Sequence, residues 1–265
     1  MISAKPGRAL RFTALLSVAF LSPQAANATI VEFQTVVGDF QVNLYDNATP
    51  QTVANFLDYV NNGAFSNSII HRSVPGFVIQ GGGFTFDLAL PLGEVPANPP
   101  VVNEPVFANV RGTIAMAKLG GDPDSATSQW FFNLADNTAN LDGQNGGFTV
   151  FGEVAGDGMD VVDAIAALPR FNFGGATTDL PLRNYSLDDF NSLIDPDENN
   201  LVIISAVIVS DSTVDTAAGL NPTLSTNVTP PANPQPPASG GGGGGTVSVI
   251  GLLGLLLLRR RRLFR

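Results

Sequence analysis

The chain has 265 residues, with no cysteine, one histidine, and 23 acidic residues against 13 basic ones. Without cysteines no disulfide scaffold stabilises the fold, and a zinc site built from several Cys and His ligands is excluded. Eight of the basic residues lie near the two ends, so the rest of the chain has five basic residues against 23 acidic ones, which argues against nucleic acids or anionic membranes as partners.

The first 28 residues have the layout of a secretory signal peptide. Three basic residues precede the apolar run FTALLSVAFLS, and the small residues 26–28 follow it. This order of segments predicts export and cleavage before Thr29. The apolar run itself is short for a membrane span.

The C-terminal part of the chain has the composition of a linker and a membrane-associated tail. Residues 211–239 are rich in Pro, Thr and Asn, which predicts a disordered linker. Residues 240–265 begin with a run of six glycines (240–245), followed by the apolar run VSVIGLLGLLLL and then RRRR. One interpretation is a plain membrane anchor whose arginines stay on the cytoplasmic side. The layout also resembles the GlyGly-CTERM type of bacterial sorting tail, which implies removal by a rhomboid-like protease during export.

Between these ends, residues 29–210 are predicted to form one folded domain. About 180 residues are enough for a stable hydrophobic core without disulfides. We expect this domain to be a monomer in the periplasm or at the cell surface. The tail would hold it at the inner membrane at least until processing.

Short strand-like runs dominate this domain. Residues 29–45, TIVEFQTVVGDFQVNLY, alternate apolar and polar side chains on both sides of Gly38-Asp39, which is typical of two strands joined by a turn. Further runs of this kind are SIIHR, GFVIQ, GTIAMA, SQWFFNL, FTVFGEV and LVIISAVIV. Many short strands with few helices favour a mainly β fold, a closed antiparallel barrel.

Two amphipathic helices are predicted to cover the barrel. The first begins at Pro50 after a capping Thr49, and the second spans residues 158–168. Two long segments, 85–108 and 169–200, fit no regular element. Loops of this length are often functional or are family-specific insertions, and the sequence leaves both alternatives open.

Several common catalytic sites have no counterpart in this sequence. Nucleophilic catalysis needs a base beside the nucleophile, and His71 is the single histidine in a chain without a G-x-S-x-G motif. No P-loop or G-x-G-x-x-G motif is present. The acidic run 195–199 lacks the glycine and closing glutamate of a calcium loop, so a solvated turn is the favoured interpretation. We expect no metal, no cofactor, and a structural role for His71.

One run gathers side chains suited to recognising a peptide. HRSVPGFVIQGGGF (71–84) contains Arg72, whose guanidinium is a fixed fork of donors. The aromatic and amide residues that accompany it along the chain are Phe77, Trp130, Phe131, Phe132, Phe148, Gln80 and Gln129. An arginine beside apolar walls can hydrogen-bond a peptide group that is shielded from water. By themselves, these features predict a peptide-binding groove.

Four long runs carry a resemblance to a known family. HRSVPGFVIQGGGF, GTIAMAK, SATSQWFFNLADN and FTVFGEVAGDGMDVVDAI follow one another in the order and spacing of the cyclophilin family of peptidyl-prolyl isomerases. The resemblance covers about residues 30–210, essentially the whole predicted domain. It implies an eight-stranded antiparallel barrel capped by two helices, an isomerase acting on proline-containing polypeptides, and no cofactor.

The resemblance also implies roles for single residues. It places the catalytic arginine at Arg72 and further catalytic positions at Phe77, Gln80 and Phe131. The substrate-binding positions that it implies are Val78, Ala117, Gln129, Leu141 and Phe148.

Four positions depart from the best-known eukaryotic pattern of that family. Val78 replaces a methionine, Lys118 a groove asparagine, and Phe148 a histidine. Asn140 stands where cyclosporin-sensitive members have a tryptophan, so we expect no strong cyclosporin binding. The arginine and the main phenylalanines are retained, and activity is therefore expected.

Two functions remain open at this point. The first is a prolyl isomerase that assists the folding of exported proteins. The second is a non-catalytic module of the cell envelope that binds proline-containing peptides. The retained set of Arg72, Phe77, Gln80 and Phe131 favours the enzyme.

Overall fold

The computed structural model describes residues 29–88, 90–213 and 220–226. The predicted signal peptide, the sorting tail and most of the predicted linker lie outside the described residues. The strands within these ranges are β1 (Ile30–Thr35), β2 (Phe40–Leu44), β3 (Ser68–Ile69), β4 (Arg72–Val74), β5 (Val78–Gly81), β6 (Phe84–Thr85), β7 (Gly93–Glu94), β8 (Thr113–Met116), β9 (Trp130–Asn133), β10 (Val150–Val154), β11 (Arg170–Phe171), β12 (Leu180–Pro181) and β13 (Ile203–Asp211). The α-helices are α1 (Pro50–Asn61), α2 (Thr138–Leu141), α3 (Gly158–Ala166) and α4 (Leu187–Asn191).

Eleven of these strands form one curled sheet in the order β4-β5-β9-β8-β10-β2-β1-β13-β3-β6-β7. All of its strand pairs are antiparallel, as predicted. The number of strands differs from the expected eight. Strand β7 lies in the predicted long loop 85–108, and a two-residue strand is too short to show an alternating pattern. Strands β11 and β12 lie in the predicted loop 169–200 and form a separate two-stranded sheet.

An aromatic cluster fills the inside of the curl. The ring of Phe33 stacks on that of Phe40 at 5.1 Å between centroids, and it meets the edge of Trp130 at 5.1 Å. Phe132 contacts Phe40 edge-on at 5.3 Å. Each of these side chains is buried, and full burial of a large apolar side chain contributes about 1.5–3 kcal/mol. This cluster holds the strands in their curled arrangement.

The two predicted helices are present as α1 and α3, and the described chain adds the short helices α2 and α4. The predicted cap of α1 is wrong. The hydroxyl of Thr49 donates back to the Tyr45 carbonyl and makes no capping hydrogen bond. Glu104 takes its place, since its carboxylate accepts hydrogen bonds from the backbone N–H groups of Gln51 and Thr52 at 3.3 and 2.9 Å. The segment 85–108 therefore closes the N-terminus of α1.

The segment 169–200 builds a smaller apolar cluster beside the sheet. Phe171 meets the edge of Tyr185 at 4.9 Å and packs on Phe190 at 5.5 Å. The cluster also includes Ile69 of β3 and Phe86 from the other long segment. Both long segments are thus folded parts of the domain. Within the described ranges, no group of three or more His, Cys, Asp or Glu residues is arranged to hold a metal ion.

Part of the predicted disordered linker is ordered. The N–H of Ala108 donates to the Thr223 carbonyl at 2.8 Å, and the N–H of Ser225 donates to the Val106 carbonyl at 3.0 Å. The side chain of Leu220 packs against a different apolar cluster, which includes Phe107 and Phe131. The backbone of residues 220–226 thus pairs with the chain around Phe107, and the folded unit extends beyond residue 210. None of the helices in the part of the chain described here has the length and apolar character that a membrane span requires.

His71 is a buried part of the core. Its ring meets the edge of Phe84 at 5.0 Å, and its backbone N–H donates to the Gln80 carbonyl. Burial away from water lowers the pKa of His71 to about 3, and the positive charge of Arg72 acts in the same direction. The imidazole is neutral at pH 7, which agrees with the structural role expected from the sequence.

Replacing Glu104 by alanine should lower the free energy of unfolding by about 1–2 kcal/mol, because the first turn of α1 loses its acceptor. Urea unfolding measures this change. Glu198→Ala, which removes an exposed carboxylate, is the matched control and should change stability by less than about 0.5 kcal/mol. Equal effects of the two substitutions would contradict the cap.

The buried His71 should make the fold sensitive to acid. The folded pKa of about 3 lies below the value of about 6.5 for an unfolded histidine, so the unfolded chain binds the extra proton between these pH values. Wild type should therefore lose stability relative to His71→Phe as pH falls from about 6.5 towards 3. The carboxyl groups are common to both proteins and cancel in the difference. A difference that stays constant with pH would contradict the assignment.

Candidate active site

The candidate site lies on the face of the sheet opposite to the aromatic core. Along β9, Trp130 and Phe132 belong to the core, whereas Phe131 belongs to a second apolar cluster. Successive side chains of a strand point to opposite faces, so β9 necessarily serves both clusters. We refer to the second cluster as the pocket cluster; its buried members are Tyr45, Val78, Phe107, Ala115, Ala117, Phe131, Leu141, Phe148 and Val150.

Strand register brings the arginine to the edge of this cluster. Arg72 on β4 lies opposite Gln80 on β5, and Gln80 lies opposite Phe131 on β9. The row continues from Phe131 to Ala115 on β8. Directly opposed residues of antiparallel strands have Cβ atoms about 5 Å apart. Arg72 and Gln80 form the polar end of this row, and Phe131 and Ala115 form its apolar end. Gln80 and Phe131 lie on neighbouring strands, so the two ends are in contact distance of each other.

The polar end of the row has hydrogen-bonding capacity to spare. Arg72 is half-buried, and among the described residues its buried Nη1 has no hydrogen-bond partner. Gln80 donates from Nε2 to Oε1 of Gln129 at 2.9 Å, while its own buried Oε1 has no partner within the described chain. Buried polar groups usually have hydrogen-bond partners. Nη1 of Arg72 can therefore donate a hydrogen bond to a ligand, and Oε1 of Gln80 can accept one.

Burial and a neighbouring carboxylate act in opposite directions on Arg72. Loss of water lowers the pKa of its guanidinium, and the negative charge of Asp179 raises it. Asp179 is held beside the edge strand because its carbonyl accepts a hydrogen bond from the N–H of Ser73 at 2.8 Å. An arginine starts from a pKa above 12, so Arg72 stays positively charged at pH 7. The segment 169–200 thereby covers the free edge of β4.

The apolar end is a packed wall of aromatic and aliphatic side chains. Phe131 meets the edge of Phe148 at 5.9 Å between centroids. The N–H of Phe148 donates to the Leu141 carbonyl at 3.2 Å, which ties these two members of the wall together. Phe77 is partly exposed and packs against the cluster from the turn between β4 and β5.

The structure brings together most of the residues that the sequence singled out. Five of the predicted positions are members of the pocket cluster: Val78, Ala117, Phe131, Leu141 and Phe148. Gln129 joins the site through its hydrogen bond with Gln80. Asn140 is exposed and is not a member of this cluster. The aromatic groove predicted from Trp130 and Phe132 is wrong for these two residues, because strand alternation turns them into the core.

Sequence reasoning missed a buried polar network beneath the wall. Asp142 accepts hydrogen bonds from both the backbone and the side-chain nitrogen of Asn109 at 2.9 Å. Asn133 donates to Asn109, and Asn137 donates both to Asn133 and to the Phe77 carbonyl. Asn109 is 24 residues from Asn133 and 33 from Asp142, and Asn137 is 60 residues from Phe77, so no local pattern could have identified these pairs as partners. The network fixes the segments that carry Phe77 and Leu141.

Comparisons with known proteins agree with this geometry. Residues 30–187 match the family of cyclophilin-type peptidyl-prolyl cis-trans isomerases. A peptidyl-prolyl cis-trans isomerase of Acinetobacter baylyi is 41% identical over 167 residues, which cover 62% of this chain and 86% of the relative. Peptidyl-prolyl cis-trans isomerase B of Escherichia coli is 44% identical over 142 residues, covering 51% of this chain and 83% of the relative.

A solved structure shows the same fold. The cyclophilin-type peptidyl-prolyl cis-trans isomerase of Cryptosporidium parvum superposes with a TM-score of 0.50 and 21% identity, covering 70% of this chain and 99% of that one. At this identity the likeness concerns the fold alone. The matched family and the relatives at 41% and 44% identity carry the assignment. The chain belongs to the cyclophilin family of peptidyl-prolyl cis-trans isomerases.

Proposed function

We propose that this protein catalyses cis–trans isomerisation of X–Pro peptide bonds in polypeptides. The observation that carries the proposal is the half-buried guanidinium of Arg72 at the edge of the pocket cluster, whose Nη1 has no hydrogen-bond partner among the described residues. A donor of this kind suits a peptide group that has left water. The apolar wall suits a proline ring.

The chemistry requires rotation about a bond and no bond cleavage. Resonance in the peptide group gives a rotational barrier of about 18–20 kcal/mol. The cis and trans forms of X–Pro differ by only about 1 kcal/mol, yet they exchange over tens of seconds or longer. A catalyst therefore needs to stabilise only the twisted amide, in which the proline nitrogen becomes pyramidal and basic.

Arg72 can provide this stabilisation. In the twisted state, the proline nitrogen accepts a hydrogen bond more strongly than in the planar state, and a guanidinium donor then lowers the barrier by differential binding. Because Arg72 is partly shielded from water, its charge acts in a lower effective dielectric. Gln80 lies directly opposite Arg72, and its Oε1, which has no partner within the described residues, can orient the guanidinium by accepting a hydrogen bond from it. The second N–H of Gln80 Nε2 can donate to a substrate carbonyl.

The wall holds the ring while the acyl side turns. Phe77 is the more exposed aromatic residue of the site, and Phe131 and Phe148 lie behind it in the pocket cluster. Contacts of this kind are present in both the planar and the twisted states. They therefore contribute binding, while Arg72 contributes rate. A binding module without turnover would use the wall and leave the arginine with no differential role.

A closed eight-stranded barrel is our proposal for the curled sheet. β3 pairs with β13 and β4 pairs with β5, although only Ile70 and His71 separate β3 from β4. The N–H of Ile70 donates to the Val202 carbonyl, and that of His71 donates to the Gln80 carbonyl. Counting β3 and β4 as one bent strand gives eight strands around the ring. This arrangement supports closure through a continuous stretch of chain.

We also propose that the protein is exported, that it is a monomer, and that it assists the folding of other exported proteins. The layout of residues 1–28 supports export. The N–H of Thr29 donates to Oδ2 of Asp46 at 2.9 Å, and its hydroxyl donates to Oδ1 at 2.7 Å. Cleavage before Thr29 would turn this amide into an ammonium group beside a carboxylate, which is a stronger pair. For residues 240–265 we propose transient anchoring at the inner membrane.

Arg72→Ala should lower kcat/KM by about 100-fold or more, because the twisted amide loses its charged donor. A protease-coupled assay with a proline peptide measures the rate in full-length protein. Arg72→Lys keeps the positive charge but lacks the planar fork of guanidinium donors, so it should retain only part of the wild-type kcat/KM. Arg170→Ala removes one exposed positive charge outside the site and is the control, with activity near that of wild type. Near-native rates in Arg72→Ala would rule out this role.

Mass spectrometry of the protein recovered from the exported fraction should give a mature chain that begins at Thr29. Loss of residues 240–265 would support a sorting tail, whereas their retention would support a plain anchor. A mature chain that retains residues 1–28 would contradict the export proposal. Asp46→Asn should lower the melting temperature of the mature protein, since the new ammonium group would lose its charged partner.

A further inference from the structure

Lys118 is a buried lysine at one side of the pocket cluster. It follows Ala117 and has a relative exposure of only 4%. Its Nζ donates to the carbonyl oxygens of Asn145 and Gly147 at 2.9 and 2.6 Å. The same nitrogen lies 4.8 Å from the centroid of the Phe148 ring. One ammonium group thus contacts both the turn before Phe148 and Phe148 itself.

The turn held by Lys118 determines where Phe148 lies. Asn145 adopts a left-handed backbone conformation with φ of 51° and ψ of 38°, which is uncommon for a residue with a side chain. Gly147 has a φ of 77° and a ψ of 151°, a conformation that glycine adopts readily. The side chain of Asn103 donates to the carbonyls of Gly146 and Gly147 from the other side. Phe148 follows directly, so any movement of the turn moves this wall of the site.

The environment of Lys118 makes its charge sensitive to pH. Burial lowers the pKa of its amine to about 8, and the carboxylates of Asp124 and Asp122 oppose that shift. Both carboxylates lie on the loop that follows Lys118. The turn at 144–147 has no titratable side chain. On the Asn103 side, the nearby carboxylate of Glu104 is directed to the start of α1.

We propose that Lys118, in its protonated form, is a positioning residue that holds Phe148 in place for the proline ring of the substrate. The proposal rests on the isomerase function proposed above. A protonated amine donates to the two carbonyls more strongly than a neutral one and is attracted to the face of the phenylalanine ring. Deprotonation or removal of the amine loosens the turn and with it the wall.

The position of the amine argues against a purely stabilising role. The ammonium group is desolvated and has neutral carbonyls as its hydrogen-bond partners, and no carboxylate of the described residues forms an ion pair with it. Replacing Lys118 by an apolar side chain of similar length removes the desolvation cost of the charge but leaves the carbonyls of Asn145 and Gly147 without this donor, so these two effects on stability oppose each other. A structural role for Lys118 predicts a large loss of stability on such replacement. A positioning role predicts that the effect falls on substrate binding.

The first experiment compares wild type with Lys118→Met in the full-length protein. We expect KM to rise by about 3- to 10-fold with kcat within about 2-fold, because contacts with the ring are alike in the planar and twisted states. The melting temperature should change little, because the lost hydrogen bonds to the turn are offset by the removal of a desolvated charge. A lower melting temperature with unchanged KM, or an unchanged KM alone, would overturn the proposal.

The second experiment measures KM from pH 6.5 to 9.5. For wild type, KM should rise as pH passes through about 8, whereas Lys118→Met should give a flat profile. His71, with its pKa of about 3, does not titrate in this range. Parallel profiles for the two proteins would contradict the role of the charge.

A chemical rescue can separate the charge from the shape of the side chain. Since the chain has no cysteine, Lys118→Cys introduces a single thiol. Alkylation with 2-bromoethylamine in denaturant, followed by refolding, yields thialysine, an isostere of lysine. This product should regain the wild-type KM, whereas alkylation with bromopropane, which adds no charge, should not. Equal rescue by both reagents would overturn the proposal.

If wild type binds proline peptides without turnover, the isomerase proposal fails by itself. The same variants are then compared by the Kd of a proline peptide in calorimetry. Weaker binding by Lys118→Met would retain the positioning role, and unchanged binding would remove it. The two proposals can therefore fail separately.

Discussion

The alternation of side chains along β5, β8, β9 and β10 is the constraint on which the structure depends. Each of these strands is buried on both faces, so Ile79, Ile114, Phe132 and Phe151 serve the core while their neighbours serve the pocket cluster. A shift of register by one residue would exchange the two faces. The same strands therefore specify both the core and the site. Because the tightly packed core holds these strands in place, it also holds the wall that would receive a proline ring.

The parts of the chain around the sheet support that arrangement through long-range contacts. Glu104 closes the start of α1, and Asp179 places a carboxylate near Arg72 at the edge of β4. Asn109 joins Asp142 to the carbonyl of Phe148. Residues 220–226 pair with the chain just before Asn109. The segments that sequence patterns leave as loops thus serve to fix the site.

Some residues of the site can be predicted from local sequence patterns, and others cannot. Arg72, Phe77 and Gln80 lie within ten residues of one another, so a local motif was enough to predict them. Composition alone predicts that Trp130 and Phe132 line the groove, but the period of two along β9 directs both side chains into the core. The cap by Glu104 and the contact of Lys118 with the turn at 145–147 join residues far apart in sequence. Pairings of that kind depend on the tertiary fold, which local propensity and periodicity do not encode.

A prolyl isomerase must accelerate rotation about the X–Pro bond as well as bind the peptide. NMR exchange spectroscopy of a proline peptide saturated with the protein measures cis–trans exchange on the protein itself. We expect exchange many orders of magnitude faster than the uncatalysed process, which takes tens of seconds or longer. Saturable binding with exchange no faster than that of the free peptide would contradict it.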